Sequence, residues 1–272
     1  MNSIRAKQHG LSLISLLIAL TIGVFLLAGL FNLWLQTRNT FQAQGSLAQM
    51  QDDERMALTV MANTIQSAGY YPLWENYSAS STVPPPTPLL STLNAFPTAT
   101  GFSTAGQYVS GTTLTTATGT YAAGDQIVVR FVADTGSNGP QLDCLGQSHP
   151  NLTIVTNTYS VSPASGSGQA GNLQCEVDTA KTSGATTTGT PEAVVPNVSQ
   201  LTALYGVDPN GTGSVTEYLD ATAVSGSSYW PHVRSVMVQL QFANPLYGQP
   251  GQTMKTFTVT RVIAVPQTTV SI

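Results

Sequence analysis

Few residues of this chain have types and spacings that could do chemistry. Asp208-Pro209-Asn210-Gly211-Thr212-Gly213 sets oxygen-bearing side chains at alternate positions with Gly at the sixth, like the opening half of a calcium loop. The acid such a loop requires at its twelfth position is replaced by Leu219, with Glu217 and Asp220 on either side. Asp208, Asn210 and Thr212 are therefore candidate calcium ligands, and a turn between strands accounts for the same residues. Gly166-Ser167-Gly168-Gln169-Ala170-Gly171 spells the dinucleotide pattern, but Asn172-Leu173-Gln174-Cys175 then reads as the second strand of a hairpin. A cofactor fingerprint needs a helix there, so a glycine turn is the expectation. His149, beside Pro150, and His232, after Trp230-Pro231, read as solvated or capping side chains. No metalloprotease helix, nucleophile elbow or Walker loop accompanies them, and no enzyme is expected.

These residues sit in a chain of unusual composition. Of 272 residues 42% are apolar and only 8% charged, against a typical charged share of about 25%. The net charge of −4 gives no basic field to collect nucleic acid. From Gly10 to Thr37 no charged residue occurs, and Leu11 to Leu35 is overwhelmingly apolar. As a helix this stretch would be roughly 37 Å long, enough to cross a ~30 Å hydrocarbon layer. Arg5 and Lys7 just before it place the first ten residues in the cytoplasm and the body across the membrane. A cleaved secretory signal peptide fits less well, because the apolar run is long and no small-x-small site closes it.

The helical pattern then continues. Leu47, Met50, Glu54, Leu58, Met61, Ile65 and Ala68 step by three or four, which makes an amphipathic helix with one stripe to cover, and Gly69 and Pro72 form a stop. Strand candidates follow at Gln126 to Ala133, Leu152 to Val161, Leu173 to Val177, Val198 to Val207, Val233 to Phe242 and Thr256 to Val265. An antiparallel sheet laid on the amphipathic helix would bury both stripes. The fold class is thus α+β: a long N-terminal helix, its first half transmembrane, packed on an antiparallel β-rich body. The run from Asn76 to Gly124 holds no charge and reads as an insertion of surface loop, polyproline spacer and short strands at Gln107 to Val109 and Thr112 to Thr116. It would serve either as a weakly ordered surface or as a contact surface. Cys144 and Cys175 are the only cysteines, and an even number in an exported chain argues for a disulfide.

The stretch Gly10-Leu11-Ser12-Leu13-Ile14-Ser15-Leu16-Leu17-Ile18-Ala19-Leu20 behind a basic leader resembles the prepilin signature of type IV pilins and type II secretion pseudopilins. Arg55-Met56-Ala57-Leu58, Ile65 to Tyr71, Leu204-Tyr205-Gly206-Val207-Asp208 and Trp230 to Leu240 are similar to the PilW family of minor pilins. The resemblance implies a pilin-like fold and cleavage by prepilin peptidase after Gly10, with methylation of Leu11. It divides the chain into a leader (1–10), a transmembrane and fibre-core helix (11–35), an amphipathic helix (36–69) and an exported body (70–272) carrying the insertion near 76–124. It also implies a structural subunit for priming or capping a type IV pilus. Its partners would be other minor pilins, the major pilin, prepilin peptidase, the inner-membrane assembly machinery and membrane lipid before assembly. The subunit would reside in the bacterial inner membrane with its body in the periplasm, then in the extracellular fibre. A type II secretion minor pseudopilin and a pilus-tip adhesin are the alternatives. One departure stands out. Most pilins carry Glu at the fifth mature position, where it pairs with a neighbour's N-terminal amine; here that residue is Ser15.

Overall fold

The structure is a computed structural model that describes residues 13–72, 92–134, 140–164, 166, 170–181 and 186–266. Gly10 and Leu11, together with the segment 73–91 at the start of the insertion, lie outside the described residues. The chain divides into two units, one ending at Gln49 and one running from Met50 onward.

The first unit is entirely helical over its described residues and belongs to α1 (Leu13–Gln66). No Pro interrupts it, and Leu, Ala and Ile dominate its first turns. Its apolar side chains are open to the surroundings, with Leu13 at 74% and Phe25 at 81% exposure. This part of α1 is long and apolar enough to cross a membrane.

In the second unit the end of α1 lies against a sheet of nine strands, all antiparallel. They are β1 (Val109–Leu114), β2 (Gly124–Val132), β3 (Thr153–Val161), β4 (Gly171–Lys181), β5 (Thr186–Thr187), β6 (Glu192–Val207), β7 (Glu217–Leu219), β8 (Val233–Ala243) and β9 (Thr256–Ala264). The main order is β1-β2-β3-β4-β6-β8-β9, with β5 paired to β4 and β7 to β6. Alternation explains the core. On β8, Val236, Val238, Leu240 and Phe242 are buried while Met237, Gln239 and Gln241 are not. Those four meet Leu201, Ala203 and Tyr205 of β6 and, with Ala57, Met61, Ala62 and Ile65 of α1, form the main core. The helical stripe therefore buries Met61, Ile65 and Ala68 as the spacing requires, and adds Ala57, Ala62 and Thr64. Tyr159 of β3 fixes the helix position by donating its hydroxyl to Thr64 Oγ1 at 2.8 Å. At the other side Arg261 of β9 donates to the Leu58 carbonyl at 3.4 Å.

The helix stops where the sequence places its breaker. Gly69 adopts φ +78°, and its N–H donates to the Arg130 carbonyl at 3.0 Å. A Cβ at this position would lie 2.9 Å from the Tyr108 ring, so only glycine lets the chain turn here.

The described part of the uncharged insertion is not a loose loop. Ala95, at the end of α2 (Thr92–Ala95), and Phe96 pack with Tyr71, Val132 and Ile154 on the face of β2–β3 away from α1, and Phe102, 2% exposed, lies against the Arg130 guanidinium. Charge-free sequence left no alternation to betray this layer, because its apolar residues are few and widely spaced. The strand in it is β1, a single run in place of two short ones.

Candidate functional site

Three places gather the residues that the sequence marks out. The first is the apolar surface of α1, on which Ser15 lies.

The second is the segment Tyr205-Gly206-Val207-Asp208 at the end of β6. Tyr205 is fully buried, and its hydroxyl reaches the carbonyls of Ser110 and Gln126 at 3.4 and 3.5 Å. Its ring meets Trp230 edge-on at 4.8 Å. A side chain at Gly206 would collide with Ser235 Oγ, which bonds to the Tyr218 hydroxyl at 3.2 Å. Asp208 then closes the following loop. Its Oδ1 accepts from Thr212 N–H at 2.9 Å and Thr212 Oγ1 at 3.0 Å, and its Oδ2 accepts from Gly213 N–H at 2.7 Å. Arg234 lies 3.4 Å from the same Oδ2. Burial alone would push the Asp208 carboxyl up, but the two amides, the Thr212 hydroxyl and the Arg234 guanidinium hold it below its ordinary value. The candidate calcium ligands are thus arranged as a turn: Asp208 faces donors of its own loop, and Asn210 and Thr212 lie on the exposed arc. Among the described residues no group of three or more His, Cys, Asp or Glu side chains could hold a metal ion.

The third place surrounds the bridge between Cys144 and Cys175, whose Cα atoms are 6.3 Å apart. The bridge holds the loop 141–149 against β4. Cys144 N–H also donates to Asn157 Oδ1 at 2.9 Å, which ties the same loop to β3. Beside the bridge Asp143, with its side chain 1% exposed, accepts from the amides of Leu145 and Gln147, both at 2.8 Å, and contacts His149 Nε2 at 2.7 Å. His149 is therefore a fixed partner of a buried acid, not a solvated side chain. Its neighbours enclose an open cleft of about 330 Å³. His232 sits in the 3₁₀ turn Trp230–His232, edge-on to Tyr229 at 6.3 Å, so the structure keeps the two imidazoles in separate settings. The glycine string that matches the dinucleotide pattern falls between β3 and β4, which pair antiparallel through Val161 and Leu173, so no parallel unit exists to hold a cofactor there.

Two groups, one buried and one half-buried, had no counterpart in the sequence reading. Arg130 is 1% exposed and donates through Nε and Nη2 to the Gln107 carbonyl at 2.8 and 2.5 Å. Its guanidinium lies 4.0 Å from the Phe102 ring centre and 5.4 Å from that of Phe96. A single charge inside the apolar strand Ile127 to Val132 was the available signal. Asp125 Oδ2 accepts the Ala203 N–H at 2.8 Å, satisfying a strand edge that β4 and β7 leave uncovered on β6.

One apolar helix that continues unbroken into a helix packed on an antiparallel sheet is the α+β architecture of pilins. Residues 5–31 match the prokaryotic N-terminal methylation motif, and residues 158–269 match the family described as Type IV Pilus-assembly protein W. The chain is a type IV pilin of the PilW family. No curated protein and no solved structure matches it.

Proposed function

We propose that this chain is a structural minor pilin that helps to prime or cap a type IV pilus. The observation that carries the reading is α1 itself, whose exposed apolar residues Leu13 to Trp34 continue directly into a stripe packed on the sheet. Residues 11–35 would hold the subunit in the bacterial inner membrane, with residues 70–272 as a periplasmic body. Prepilin peptidase would remove residues 1–10, and Leu11 would be methylated. Extraction by the assembly machinery would then move the same surface from lipid into the fibre core, so lost lipid contact is offset by burial against other minor pilins and the major pilin. Ser15 supports a tip or priming position, because a hydroxyl offers no counter-charge for a neighbour's N-terminal amine.

N-terminal sequencing of the mature protein tests the processing: methyl-Leu11 is expected, and an intact Met1 overturns the reading. Deletion of the gene should abolish or sharply reduce surface fibres. Fibres at full number with attachment alone lost would replace this role with that of an adhesin. Ser15→Glu should shift the subunit away from the tip or reduce fibre number; an unchanged position and number would remove the tip argument.

A further inference from the structure

The cleft beside the Cys144–Cys175 bridge has a composition that selects its occupant. Leu145 and Val177 give it an aliphatic floor, while Gln147, Thr187, Thr190 and Glu192 bring polar groups to its wall. Neither Lys nor Arg lines it, so its formal charges are those of Asp143 and Glu192, with the His149 ring beside them. Asp143 is committed: one oxygen takes two amide protons and the other faces His149. Glu192 is different. Its carboxylate has no hydrogen-bond or ion-pair partner among the described residues, and neither do the hydroxyls of Thr187 and Thr190.

Each ligand class meets these groups differently. An anion would face two carboxylates and no cation. A divalent metal needs several uncommitted oxygen or nitrogen ligands, and the cleft offers one free carboxylate. A stacked sugar wants a broad aromatic face, and no Phe, Tyr or Trp lines this space. An ammonium on a chain of methylenes meets none of these obstacles. Its stem can lie on Leu145 and Val177, and its three N–H donors can be shared between the Glu192 carboxylate and the threonine hydroxyls. The volume of about 330 Å³ corresponds to roughly ten waters of liquid, which leaves room for such a stem and some retained solvent.

We infer that this cleft is a docking site for a lysine side chain of a partner protein. The disulfide holds the Leu145 side of the cleft in place, and Asp143 with His149 keeps the loop closed around it. A single exposed ion pair changes affinity by less than tenfold, so one lysine in a short peptide, with its stem on the two aliphatic side chains, should bind with a dissociation constant no lower than about 10 mM. The rest of a partner's surface would supply further affinity.

The test uses the isotope-labelled full chain in neutral detergent micelles, titrated with acetyl-Gly-Lys-Gly-amide while amide resonances are followed. Saturable shifts at Leu145, Gly189 and Glu192 are expected. The same peptide with Nε-acetyl-lysine should bind at least twofold more weakly, as should the unmodified peptide with Glu192→Gln. Glu217→Gln, on an exposed strand away from the cleft, should bind like the parent. Glu192 is exposed, and an otherwise unchanged spectrum will show that the variant is folded. Equal binding of the acetylated peptide, equal binding by Glu192→Gln, or no shift at these amides at 10-fold the expected constant would overturn the inference. So would shifts at the same amides produced by calcium or by a neutral disaccharide but not by the lysine peptide.

Discussion

Arg130 brings a positive charge into the protein with a carbonyl and two aromatic rings around it, and no carboxylate within ion-pair distance among the described residues. It serves as the peg on which the 96–108 segment hangs. Arg130→Met keeps the stem but strands the Gln107 carbonyl, and should cost about 2 to 3 kcal/mol in urea unfolding. Burial draws the guanidinium down to about 10, so above that pH the folded protein binds fewer protons than the unfolded chain and the burden of this charge eases. Two tyrosines, one half-buried and one fully buried, act in the opposite sense. Burial pushes Tyr121 up to about 12 and Tyr159 higher still, so their neutral forms stabilise the fold fully below pH 10, and that contribution is lost as pH rises beyond it. Tyr159→Phe should be less stable at neutral pH by about 1 kcal/mol, through loss of the Thr64 bond, yet its melting temperature should fall less steeply above pH 10. For Asp208, whose carboxyl is held low, the contribution is present above 3.8 and is lost as pH falls. Asp208→Asn should therefore melt below the parent at pH 7, with the difference closing in acid. The Tyr205-Gly206-Val207-Asp208 segment was legible in the sequence as a family mark, and the turn at Asp208 as a local pattern, whereas the roles of Tyr205 and Gly206 needed the structure, because Ser110, Gln126, Trp230 and Ser235 lie on other elements.

At the scale of elements, the bridge and the helix dock make the strongest demands. By loop entropy, a link between cysteines 31 residues apart stabilises the body by roughly 3 to 4 kcal/mol, so Cys144→Ser with Cys175→Ser should lower the unfolding free energy by about that amount. Met61→Ala, at a fully buried site between α1 and the sheet, should cost about 2 to 5 kcal/mol by the same measurement. The six strands expected from alternation are all present, and the amphipathic spacing of α1 identified the buried face. What escaped has physical causes. β5 and β7 are two and three residues long, too short to show any period. β6 begins at Glu192, not Val198, because Pro196 and Asn197 look like a break; the strand absorbs them in an irregular register, with Asn197 at φ +63°. α3 (Ala221–Gly226) is six residues long, with Asp220 accepting the Ala223 N–H at 2.8 Å as its cap, a signal weaker than any helical repeat. The cleft depends on the bridge bringing the loop 141–149 to β4, which no local pattern encodes, and the Asp143–His149 pair forms within that loop across six residues with no periodic signal.

For the molecule as a whole, the first half of α1 must live in an apolar medium. Leu20→Arg would add about 2.5 to 3.5 kcal/mol to membrane insertion, and should move the protein from the membrane fraction toward the soluble or degraded pool. The sheet order carries a different kind of consequence, in time. All seven of its main strands, β1 through β9, lie in the sheet in the order in which they occur in the chain, so a body that emerges from its N-terminal end can pair each strand with one already formed. The hydrogen bond of longest reach among the described residues comes with the last strand: Arg261 on β9 donates to the carbonyl of Leu58 on α1, 203 residues earlier. Assembly of the body should thus be a zipper that ends with a latch, and a force applied to the C-terminus would undo the latch first and then peel the sheet one strand at a time.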